Sequence, residues 1–91
     1  MQIKYSNHFL GKLEDVIAET DYVLRYEKGS FKSGYCVLKD TKIIVVNKYF
    51  TTEGKINCLI EIILTLDMDL AQISVKNKKL VSELSQTALN L

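Results

Sequence analysis

The hydrophobic positions along the chain change period more than once, and each change marks an element. Phe9, Leu10, Leu13, Val16 and Ile17 recur at helical spacing with Lys12, Glu14, Asp15 and Glu19 between them, so a first amphipathic helix is expected, capped by Ser6, with its charged residues turned to water. From Asp21 the period falls to two. Tyr22, Leu24 and Tyr26 alternate with Val23, Arg25 and Glu27, as in a strand with one buried face. Glu27-Lys28-Gly29-Ser30 then places a glycine where a tight turn needs positive φ, and the chain resumes with Phe31, Tyr35, Cys36, Val37 and Leu38, which predicts a β-hairpin. Lys39-Asp40-Thr41-Lys42 is a second polar turn, and it leads into the β-branched run Ile43-Ile44-Val45-Val46. That third strand is apolar on both faces and is expected to be covered twice, by the chain's own helices on one side and by more helix or a partner molecule on the other.

Thr51 or Thr52 can cap the next helix, in which Ile56, Cys58, Leu59, Ile60, Ile62, Ile63, Leu64 and Leu66 leave only a narrow polar stripe of Asn57, Glu61 and Thr65. Such a helix belongs in the middle of a molecule. Asp67-Met68-Asp69 is expected to end it, and Ser74 or Asn77 to cap a last helix with Val75 or Leu80, Val81, Leu84 and Ala88 as its apolar side. The expected fold class is α+β: a two-layer domain over residues 1–91, helix then three-stranded antiparallel meander then two helices.

Length narrows this further, because 91 residues can form one core and no second domain. With 47% hydrophobic and 25% charged residues the composition is that of a folded globule. Twelve Lys and Arg against eleven Asp and Glu give a net charge of +1, without the basic excess that phosphate backbones attract, so nucleic acid is not the expected partner. Cys36 and Cys58 each sit in an apolar run and do not form a secreted disulfide framework, which points to a reducing, cytoplasmic setting. Met1-Gln2-Ile3-Lys4-Tyr5 lacks a signal-peptide pattern, and the most apolar stretch, residues 58–66, is short and interrupted by Glu61 and Thr65, so no membrane association is expected.

No set of reactive side chains converges in the sequence. His8, the single histidine, has neither metal co-ligands nor a catalytic partner in its pattern, and it reads as a surface or partly packed residue. Cys36 and Cys58 have no CxxC neighbour or adjacent base, and they read as packing residues, Cys58 facing the sheet. Asp67 and Asp69 lack the further oxygen ligands of a calcium loop and read as caps. Lys28, Lys32, Lys39, Lys42 and Lys48 decorate strand ends among Tyr22, Tyr26, Phe31, Tyr35, Tyr49 and Phe50. Basic groups around an aromatic sheet can hold single-stranded nucleic acid, but edge lysines also discourage strand-to-strand aggregation, and the latter reading is preferred. Gly29 and Gly34 are isolated, so no phosphate-binding glycine loop is present.

Residues 46–64, with Asn47, a Thr51-Thr52 cap, Lys55 and an apolar helix, together with the glycine-initiated strand Gly34-Tyr35-Cys36-Val37-Leu38, resemble the core of small zincin-type metallopeptidase domains. The resemblance covers about half the chain and rests on pattern. Where that family carries H-E-x-x-H, this chain reads Ile60-Glu61-Ile62-Ile63-Leu64, so the resemblance puts Glu61 in the general-base position and Ile60 and Leu64 in place of the metal-binding histidines. Aliphatic side chains offer no lone pair to zinc, and the resemblance therefore implies a scaffold without metal or catalysis. The expected function is that of a non-enzymatic cytoplasmic domain with no catalytic residues, metal or cofactor, acting by homodimerisation or by binding another protein. The alternatives are an altered zincin-like hydrolase centred on Glu61 and single-stranded nucleic-acid binding on the sheet.

Overall fold

In a computed structural model the described residues are 2–29, 34–66 and 71–89, and the order of elements is the expected one. Helix α1 (Asn7–Ala18) precedes strands β1 (Val23–Glu27), β2 (Tyr35–Leu38) and β3 (Ile43–Asn47), and helices α2 (Thr52–Thr65) and α3 (Val75–Leu89) follow. The readings made at Ser30, Phe31, Lys32, Asp67, Met68 and Asp69 and for the Ala88 side chain lie outside what is described. The caps follow the hydroxyls: Ser6 Oγ accepts the Phe9 amide at 3.2 Å, Thr51 Oγ1 accepts the Gly54 amide at 3.1 Å, and Ser74 Oγ accepts the Asn77 amide at 3.3 Å.

The sheet departs from the expected antiparallel meander. Its strand order is β1-β3-β2, with β1 parallel to β3 and β2 antiparallel to it. No hairpin joins β1 to β2; the hairpin is the one between β2 and β3, and Lys42 closes its turn with φ +55°. The cause is burial. A central strand pairs on both edges and is covered most completely, and the Ile43-Ile44-Val45-Val46 run is apolar on both faces, β-branched throughout and the most buried of the three. β1 carries Arg25 and Glu27 on its outward side, so it is suited to an edge. The glycine that needs the left-handed region is Gly34, at φ +86°, where the chain enters β2.

α1 and α2 lie against one face of the sheet. Leu13, Val16 and Ile17 of α1 meet Ile44 and Val46 of β3, Ile56, Leu59 and Ile62 of α2, and Leu84 of α3 in a single core. Leu24, Tyr26, Tyr35 and Val37 close that core from the edge strands, all on the same sheet face. Each fully buried aliphatic side chain contributes about 1.5–3 kcal/mol of transfer free energy, which explains why so short a chain closes around α2. The Phe50 ring is clasped between two glycines: a Cβ on Gly34 would overlap the ring, and one on Gly54 would lie 3.0 Å from its Cδ2.

Gly11 differs from both, since a Cβ there would meet nothing within 4 Å and its φ is an ordinary helical one. Gly11→Ala is therefore expected to raise stability by about 0.5–1 kcal/mol through helix propensity alone, read as a higher midpoint in thermal denaturation.

Candidate functional site

Register fixes which side chains share the outer face of the sheet. Val45 of β3 pairs with Arg25 on one side and Cys36 on the other, and Ile43 pairs with Val23 and Leu38. Residues opposite one another in a sheet point the same way, so Val23, Cys36, Leu38, Ile43 and Val45 form one apolar patch on the side away from α1 and α2. Val45 at its centre is only 7% exposed, whereas Val23 and Leu38 at its rim are 58% and 46% exposed. Beside the patch Arg25 and Glu27 pair at 3.0 Å, both half open to water. The outward positions of the three strands carry no aromatic ring, because Tyr22, Tyr26, Tyr35 and Phe50 pack towards the core. A base stacking on the sheet would find no platform there.

Of the side chains singled out in the sequence, Cys58, Glu61 and Tyr35 lie near one another, and His8 and Cys36 stand apart from them. Cys36 faces outward while Cys58 is buried on the inner side, and no disulfide joins them. Burial pushes the Cys58 thiol up, and the Glu61 carboxylate pushes it further, the reverse of what a reactive thiolate needs. Glu61 is exposed on α2, and the Tyr35 hydroxyl hydrogen-bonds to it; burial first and that carboxylate second raise the Tyr35 phenol. Ile60 and Leu64, at the positions compared with metal-binding histidines, are half-buried. Among the described residues no three His, Cys, Asp or Glu side chains gather as a metal centre would require.

The carboxylates of α1, expected to face only water, each hold another element. Glu14 accepts the Tyr26 hydroxyl, whose pKa is raised chiefly by burial and then by this bond, and the Lys55 ammonium lies 5.1 Å from the Tyr26 ring centre. Among the described residues Asn77 of α3 is the one buried polar residue, 1% exposed, and its amide donates to Asp15 Oδ2 at 3.1 Å and to Glu19 Oε1. Glu19 also accepts the Ser74 backbone N–H at 3.2 Å and the Ser74 hydroxyl at 3.1 Å, so it crowns the N-terminus of α3. Sequence patterning missed this clasp because its members lie 55 to 62 residues apart. The one signal present was a polar Asn77 in the stripe that also contains Leu80, Val81 and Leu84.

The Asn77 bond, followed by those from Ser74, holds the Glu19 carboxyl below the usual carboxylate range against an opposing contribution from burial. A carboxyl whose pKa is lower folded than unfolded stabilises the fold above its unfolded value, and that stabilisation is lost as pH falls through the folded one. Thermal midpoints measured against pH are therefore expected to drop more steeply on the acid side in the wild type than in Glu19→Gln. Asn77→Ala should remove about 1–2 kcal/mol near neutrality and flatten the same limb.

Beside the clasp α1 and α3 diverge into a furrow of roughly 620 Å³. Lys12, Lys76 and Lys79 line it with Gly11 and Leu80, and Asp15 and Glu83 bring two carboxylates. His8 also lies on this furrow, so the sequence reading of a surface histidine describes its position; it stands among lysines.

No helix among the described residues is long and apolar enough to cross a membrane. No family model, curated protein or solved structure matches the chain.

Proposed function

We propose that this protein is a non-enzymatic binding module that associates with a second copy of itself through the outer face of its sheet. The observation that carries the reading is the patch around Val45, where Val23 and Leu38 stay exposed while both helices contacting the sheet lie on the opposite face. An apolar sheet face whose rim the described residues leave open is, in a small domain, a surface for association. Three strands of about five residues give a patch of roughly 14 by 17 Å, small against a standard interface, so the dimer is one that dissociates on dilution. A second copy suits the patch because Arg25 and Glu27 lie side by side at its edge: under a two-fold axis each cation meets the other copy's anion. A net charge of +1 adds little repulsion between copies.

Light scattering and sedimentation over a concentration series test this. The wild type is expected to shift from monomer to dimer as concentration rises, and Val23→Lys with Leu38→Lys to stay monomeric with an unchanged far-UV spectrum. A wild type that is monomeric throughout, or a dimer indifferent to both substitutions, overturns the reading.

A further inference from the structure

We infer that the furrow between α1 and α3 is a binding site for a small phosphate-bearing anion, distinct from the sheet face and not dependent on dimerisation. Its volume, roughly 620 Å³, falls within the range of small-molecule sites. Lys12 approaches it from α1 and Lys76 and Lys79 from α3. The ion pairs among the described residues are Arg25–Glu27 and Lys42–Asp21, so these three ammonium groups reach one hollow with no carboxylate of a described residue within 4.0 Å of any of them. Of the two carboxylates on the furrow, Asp15 is held by the Asn77 amide, and Glu83 lies one turn from Lys79 and seven residues, about 10 Å, along α3 from Lys76. Three ammonium groups against two carboxylates leave the lining with a net positive charge, and lysine is a point charge suited to phosphate oxygens.

Gly11 supplies an independent reason to regard the hollow as kept open. A glycine inside a helix weakens it, and the usual justifications are a left-handed φ or a close neighbour. Gly11 has neither, since a Cβ built there finds nothing within 4 Å. What its missing side chain does provide is room on the α1 wall of the furrow, which Leu80 of α3 also lines. The chain forgoes helix stability at the position where a larger residue would fill the hollow. The clasp of Asn77 with Asp15 and Glu19 holds the walls in register, so the site is formed before a ligand arrives.

Titration of the isotopically labelled full chain with inorganic pyrophosphate at low salt, followed by amide NMR, tests the inference. Shifts confined to residues 7–15 and 76–83 are expected, with a dissociation constant of about 1 mM or tighter. Lys76→Gln with Lys79→Gln should weaken binding about tenfold or more, Glu83→Gln should tighten it, and Gly11→Leu should abolish it while the spectrum stays that of a folded protein. Inorganic phosphate and adenosine diphosphate in parallel separate a bare anion site from one that also takes an organic moiety. Shifts spread equally over Lys28, Lys39, Lys42 and Lys48, or binding that follows net charge and ignores Gly11→Leu, overturn it, as does the absence of any shift.

Discussion

Gly34→Ala is expected to lower stability by about 2–5 kcal/mol, the sum of a left-handed backbone penalty of about 1–2 kcal/mol and an overpacking cost of about 1–3 kcal/mol. Both contributions have separate origins in the structure. The backbone at Gly34 sits at φ +86°, where an L side chain is strained whatever space it finds, and the space is already occupied by the Phe50 ring, with Cys58 Sγ 3.2 Å away. A double-mutant cycle separates them: Phe50→Leu in the Gly34→Ala background should recover part of the packing loss and none of the backbone loss. Denaturant melts of the four proteins give the coupling directly. If Gly34→Ala melts within error of the wild type, the clasp on Phe50 does not exist in solution.

Leu59→Ala should cost about 2–5 kcal/mol, the range for a fully buried leucine whose cavity cannot collapse. Leu59 has no exposed surface and lies on the α2 face that meets α1 and the sheet. A domain of this size is stable by only about 5–10 kcal/mol, so either substitution removes a large share of the total. The expected readout is a lower urea midpoint with an unchanged slope, since the surface exposed on unfolding stays nearly the same.

These two sites also show how unevenly the structure could be read from the chain. Leu59 was legible, because helical periodicity and an almost continuous apolar surface place α2 at the centre without any knowledge of its neighbours. Element order, the Ser6, Thr51 and Ser74 caps and the burial of β3 were legible for the same local reasons. Gly34 was not, because Gly29 and Gly34 look alike in sequence and only the pairing of strands decides which must turn left-handed. The double-sided apolarity of β3 contained the strand order, yet adjacency along the chain favoured a β1–β2 hairpin that does not form. The candidate surfaces divide likewise. That some apolar face is left over follows from counting; that it is the one carrying Val23, Leu38 and Val45 follows only from register. The furrow was invisible, because Lys12 and Lys76 stand 64 positions apart and a solvated lysine carries no mark of what it faces.

Inserting β3 between the strands that precede it fixes the sequence of events by which the chain acquires structure. Until residues 43–47 are made, β1 has no neighbour to bond with, and its amides and carbonyls wait on a segment 20 positions downstream. The β2–β3 hairpin, closed through four residues, loses far less chain entropy on forming and is the natural first piece of sheet. β1 is then the late arrival, zipping onto a template already built. During synthesis the segments before β3 emerge as a helix and two unpaired strands, and only the arrival of the middle one turns them into a fold.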